Sequence, residues 1–147
     1  MADCLICAQH AAGVETVIED ENAVVTHLPL TTRAGTAETA YLGYLFVELR
    51  RHAPGLGDLT PDEAASVGRL AAATAAALRA SEGADHVYAA VIGHGAPHFH
   101  VHVIARYPGT PREFWWTRVD EWPGAPRGGE PEIAALIARL RAEIARP

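Results

Sequence analysis

Five short stretches of this chain are apolar or alternate apolar with polar residues at strand spacing, and apolar residues recur at helical spacing along two more. Val14–Ile18 and Ala23–His27 are short, alternating, β-branched runs parted by Glu19-Asp20-Glu21-Asn22, the pattern of a hairpin with a polar turn. Pro29 to Glu38 is rich in Thr, Gly and Pro and is expected to be a loop. Tyr41–Leu49 reads as a third strand, with Leu45, Val47 and Leu49 on one face and Tyr44 and Phe46 on the other. Val87–Ile92 reads as a fourth. Gly93-His94-Gly95-Ala96-Pro97 then reads as a tight turn that brings the chain back antiparallel along a fifth.

The helical stretches are bounded by clear signals. Thr60-Pro61-Asp62-Glu63 combines a capping Thr, a Pro at the first helical position and a Glu that completes a capping box. The helix is expected to run to about Ala80, burying Val67, Leu70, Thr74, Ala77 and Leu78, with Gly83 as its left-handed cap. Pro131–Arg146 predicts a closing helix with Ile133, Leu136, Ile137, Leu140 and Ile144 on its apolar stripe. Between Tyr107 and Gly129 the periodicity stops. Pro, Gly and Arg accumulate there with Phe114, Trp115, Trp116 and Trp122, a segment suited to packing over a core, covering a site or making an interface.

The fifth strand is His98-Phe99-His100-Val101-His102-Val103-Ile104. Alternate strand residues share a face about 6.6 Å apart, so all three imidazoles are expected on one surface while Phe99, Val101 and Val103 enter the core. Three imidazoles in register suit the binding of a metal, a phosphate or both. Two further features bear metal-ligand chemistry. Cys4-Leu5-Ile6-Cys7 has the spacing of a redox pair or of half a zinc site, or is two unligated thiols. The redox use needs a preceding strand and a following helix, for which Cys4 lies too near the start. As a zinc pair it needs two more ligands, and His10 is the nearest in sequence. His52 stands where the third strand meets a loop, a common position for a functional side chain.

Composition narrows the reading. A chain of 147 residues with 49% apolar and 20% charged residues fits one globular domain. The net charge of −6 argues against a nucleic-acid surface, which needs a basic stripe. All 12 basic residues are Arg, so no Lys is available as a catalytic group. No apolar run approaches the ~20 residues that span a bilayer, and the start lacks a signal-peptide pattern, so no membrane association and a cytoplasmic setting are expected.

In sum, the Cys pair, the strand-end His and the His-x-His-x-His strand resemble the histidine triad (HIT) family of nucleotide hydrolases and transferases. His98 to Ile104 matches the family signature without a mismatch, and Ala105-Arg106 is close to the usual Pro-Arg. Cys4–Cys7 is similar to the N-terminal zinc pair of the bacterial branch, Val17 to Glu21 to its acidic hairpin, and Gly43–His52 to its central strand. The resemblance implies an α+β fold: an antiparallel five-stranded sheet with a long helix and a C-terminal helix. It spans 1–147 as one domain, with 1–106 as the core and 107–147 as the Trp/Pro-rich loop and last helix. It implies structural Zn2+ on Cys4, Cys7, His52 and His98, with His10 set aside. It also implies His100 as nucleophile on an α-phosphate and His102 as a contact to the phosphate or leaving group. His94 and Gly95 stand where members carry a phosphate-binding Gly-Gln turn, so both are candidate substrate contacts. Leu28 stands where a ribose-binding Asp is usual, which leaves Thr26 and His27 beside it as candidates. Arg112 and Arg118 are solvated or reach leaving-group phosphates. A nucleotide substrate and a homodimer, through the Thr60 helix and central strand, complete the expectation.

Overall fold

The computed structural model describes residues 4–147. The chain begins with helix α1 (Leu5–Ala11), then hairpin strands β1 (Thr16–Glu19) and β2 (Ala23–His27). A small ribbon follows, β3 (Thr31–Thr32) and β4 (Gly35–Thr36), then β5 (Ala40–Tyr41) and β6 (Tyr44–Leu49). Helix α2 (Pro61–Glu82) leads to β7 (His86–Ala90) and β8 (His100–Arg106). Short β9 (Arg127–Gly128) and helix α3 (Glu130–Ile144) close the fold. Strands β1-β2-β6-β8-β7 make one five-stranded sheet, antiparallel at every pairing. The expected α+β arrangement is the one observed.

One face of this sheet is apolar and covered. Leu45, Val47 and Leu49 of β6 and Val103 and Ala105 of β8 are at most 1% exposed and join Val67, Leu70, Ala77, Leu78, Leu136, Ile137 and Leu140 in one core. Both helices were legible from their apolar spacing. Thr60 caps α2 by accepting from the Glu63 N–H while Glu63 accepts from the Thr60 N–H, and Gly83 ends the helix at φ +72°. The opposite sheet face carries Tyr44, Phe46 and Glu48 of β6 across from Ile104, His102 and His100 of β8.

Four expectations change. Strand Tyr41–Leu49 is broken: Gly43 turns at φ +92°, so that β5 pairs with β9 while β6 joins the main sheet. The Pro29–Glu38 loop contains the β3–β4 ribbon, held by Thr31 Oγ1 to Thr36 Oγ1 at 3.0 Å. The fourth strand is His86–Ala90, and its connection to the fifth is longer than a tight turn. The fifth strand begins at His100, not His98. Beyond Leu49 the chain leaves the sheet, so the Phe99 N–H bonds Ala53 O at 2.6 Å instead of a strand ladder. Both edges of β6 are taken by β2 and β8, so the central strand has no free backbone edge for a second copy.

Candidate functional site

His98 lies just ahead of β8, and His100 and His102 lie within it. His98 is 1% exposed, and its ring lies with Cys4, Cys7 and His52. Its Nε2–H donates to Leu49 O at 2.7 Å, which leaves Nδ1 as a lone pair. Nδ1 lies 3.5 Å from Cys4 Sγ and 3.4 Å from Cys7 Sγ, and His52 Nδ1 lies 3.4 Å from Cys7 Sγ. Tetrahedral zinc with standard Zn–S and Zn–N lengths separates an S and an N ligand by about 3.5 Å, so the donors already stand at ligand spacing. All four ligand atoms fall within 4.8 Å of one another. Burial lowers the His98 pKa, which favours the neutral ring a metal requires, and raises that of the Cys7 thiol, a cost that a bound cation reverses. Cys4, Cys7, His52 and His98 form a Cys2His2 set whose donor types and spacing fit a structural zinc ion. Four protein ligands leave no position for a reacting water.

His10 stands apart from this set: its Nε2–H donates to Glu48 Oε2 at 2.8 Å. It comes from α1, a helix the sequence pattern did not announce because its seven residues bury only Ile6.

His100 is 7% exposed, on the sheet face that carries Tyr44, Phe46 and Glu48. Its Nδ1 is 2.7 Å from His98 O, and a carbonyl can only accept, so Nδ1 carries the proton and Nε2 keeps its lone pair. His102 Nδ1 meets the Tyr44 hydroxyl at 2.8 Å. Burial, with the His100 ring adding to it, pushes the His102 pKa down to about 4, while burial raises that of Tyr44 to about 12. Both groups are therefore neutral at pH 7. Phe46 packs edge-on against both rings, with centroids 5.6 Å from His100 and 5.0 Å from His102. Tyr44 and Phe46 were legible as one strand face but not as the frame of the histidines, because register across strands is absent from a one-dimensional pattern.

His100 and His102 line a cavity of about 370 Å³. Leu5, Ile6 and Gln9 of α1 form one wall, Leu28 and Pro29 another, and Ile92, His94, Gly95 and Ala96 a third. Thr32, Arg33 and Ala34 of the ribbon reach its rim, and Glu48 lies on its floor. His94 and Gly95 thus stand beside the catalytic candidates. Thr26 and His27 do not line the cavity. Both are buried, and His27 is fully occupied: Nδ1–H donates to Leu28 O at 2.9 Å and Nε2 accepts from the Gly43 N–H at 3.2 Å. Arg112 and Arg118 are not among the lining residues either. Arg112 lies 5.6 Å from the Trp115 ring, and Arg118 pairs with Glu121 at 2.8 Å.

No family model and no curated protein matches the sequence. Solved structures do match. A Zn-bound histidine triad family protein from Mycobacterium smegmatis aligns at TM-score 0.67 and 23% identity over 98% of this chain and 94% of its own. A hypothetical histidine triad nucleotide-binding protein from Sulfolobus tokodaii aligns at 0.69 and 19% over 96% and 91%. A Hit-like protein involved in cell-cycle regulation from Bartonella henselae aligns at 0.70 and 14% over 97% of each chain. The fold is the histidine triad fold. Within it, none of residues 107–129 lines the cavity, and Val119 is buried with Tyr41 and Ile104. The Arg106 guanidinium stacks 3.8 Å from the Trp115 ring centre.

Proposed function

We infer that this protein binds a nucleoside 5′-phosphate derivative and cleaves it at the α-phosphate through a covalent nucleotidyl-His100. The observation that carries this is the Nδ1–H bond from His100 to His98 O, which fixes the tautomer and leaves Nε2 as a nucleophile facing a cavity of nucleotide size. In the first step Nε2 attacks phosphorus. The P–N bond forms, the bond from phosphorus to the leaving group breaks, and the electron pair departs with the leaving group. His102 stands beside this centre with one N–H to aim at the phosphate or the departing atom, a contact typically worth ~3–4 kcal/mol in the transition state. Water then attacks phosphorus, the P–N bond breaks with its pair returning to Nε2, and the 5′-monophosphate leaves. A phosphoramidate, an acyl nucleotide or a dinucleoside polyphosphate satisfies this chemistry. His94 and Gly95 serve as substrate contacts.

Mass spectrometry of protein incubated with a panel of such compounds tests the reading. We expect a nucleotidyl adduct on His100, its loss in His100→Ala, and nucleotide binding still measurable in the variant. Turnover unchanged in His100→Ala would end the proposal. Including inorganic phosphate in parallel samples separates a hydrolase, which releases monophosphate, from a phosphorylase, which releases diphosphate. The chain is also read as a homodimer, which sedimentation checks: a single-chain species at every concentration removes that part.

A further inference from the structure

Besides its histidines, the cavity is lined by two charged side chains, Arg33 at the rim and Glu48 on the floor. Glu48 is the unexpected one. It lies on β6 directly across from His100, and its side chain is only 5% exposed. A buried carboxylate without partners is costly, and one beside a phosphate site is costlier still. His10 offsets half of that cost, because its Nε2–H donates to Oε2 at 2.8 Å. The other oxygen, Oε1, has no hydrogen-bond partner among the described residues. No fully enclosed side-chain oxygen or nitrogen there is left unsatisfied, so Oε1 must be open to solvent, and the space that Glu48 lines is the cavity.

His10 thus holds the carboxylate in one orientation and leaves a single acceptor facing the ligand. The surroundings fit a flat, neutral group with a polar edge. Leu5, Ile6, Leu28 and Ile92 offer apolar surface, and the amide side chain of Gln9 is the next polar group on the α1 wall. We propose that Glu48 selects the substrate, its Oε1 accepting a hydrogen bond from a hydroxyl or N–H donor on the nucleoside part of a nucleotide whose phosphate lies at His100. The proposal rests on the nucleotide reading above. The donor is a sugar hydroxyl or a base N–H, and a second anion at this position is repelled. A site built to accept a hydrogen bond rejects ligands that lack the donor, because its own polar group is then left unpaired.

Calorimetric titration of the full chain tests it with two series of ligands. Adenosine, guanosine, inosine, cytidine and uridine 5′-monophosphates vary the base donor, and 2′-deoxy and 3′-deoxy adenosine 5′-monophosphates remove the hydroxyls. The wild-type protein is expected to bind ligands lacking the selected donor roughly 10- to 100-fold more weakly. Whichever series shows the loss identifies the donor. In Glu48→Gln the amide oxygen takes the His10 bond and turns its NH2 to the cavity, so the preference should shrink to within about threefold. A wild-type preference no larger than that across both series overturns the proposal without need of any variant. So does a Glu48→Gln protein that keeps the wild-type preference. Mass analysis of parallel samples given the matching nucleoside 5′-phosphoramidates, which carry a leaving group on phosphorus, for the His100 adduct keeps the two readings apart. Selective binding without an adduct removes the covalent chemistry and retains Glu48, while an adduct with unselective binding does the reverse.

Discussion

A neutral imidazole has one N–H to give, so the role of each histidine depends on which atom its other nitrogen faces. For His98 and His100 that atom is a backbone carbonyl, and the two rings are left with free lone pairs on Nδ1 and Nε2 respectively. His102 faces a hydroxyl instead, and a Tyr44 O–H donated to Nδ1 would leave its proton on Nε2, the tautomer that the proposed role requires. Burial holds the His102 pKa near 4 against about 6.5 in an unfolded chain. Below pH 6.5 the unfolded chain therefore binds a proton that the native state refuses, and stability falls as pH drops from about 6.5 towards 4. His27 is lowered by burial as well and acts in the same direction. Urea denaturation at pH 7.5 and 4.5 checks this: the midpoint should fall at the lower pH, and by less in His102→Gln. A midpoint that rises on acidification would contradict it.

At the scale of elements, position 43 governs how the central strand enters the sheet. Gly43 takes φ +92°, where a side chain is strained, and a Cβ there would collide with the Tyr107 hydroxyl. Its N–H also donates to His27 Nε2, and its O accepts from the Ala105 N–H at 2.9 Å. Gly43→Ala is expected to cost about 2–4 kcal/mol, as a conformational penalty and an overpacking penalty combined. Urea unfolding measures it, and a loss below about 0.5 kcal/mol would mean that the turn adapts freely. This turn also explains a limit of the sequence pattern. Tyr41–Leu49 is apolar at every position but Gly43 and Glu48, so hydrophobicity alone runs β5 and β6 together, and a glycine within a strand does not announce a positive φ. Helix α2 was legible because an apolar stripe, the Thr60–Glu63 capping box and Gly83 agree along it, and α3 because its apolar stripe runs its length. Short α1 carried no such stripe, and the β3–β4 ribbon is two residues a side and exposed, so neither leaves a hydrophobic period.

Across the whole molecule the Cys2His2 cluster and the cavity beside His100 share α1. That helix supplies Cys7 to one and Leu5, Ile6 and Gln9 to the other. Seven residues do not make a stable helix alone. Its apolar support is slight too: Cys4, Ile6 and Ala96 form a small cluster separate from the main core. The metal ligands and the His10–Glu48 bond are what tie it to the sheet. The ligand set was legible only through the family resemblance, since Cys4 and His98 are 94 residues apart and spacing alone left His10 equally eligible. Because structural zinc binding is folding free energy, removing the metal should lower Tm and also loosen one cavity wall. The expectation is about one zinc per chain by elemental analysis, with the metal absent and Tm reduced in Cys4→Ser. A chelator-stripped sample should bind a nucleoside 5′-monophosphate at least about tenfold more weakly while keeping far-ultraviolet circular dichroism close to native, because the five-stranded sheet with α2 and α3 has its own core. Restoring zinc should restore the affinity. Metal-free protein that binds nucleotide as tightly as the zinc form would show that α1 is held by its other contacts, and that the metal and the cavity are independent.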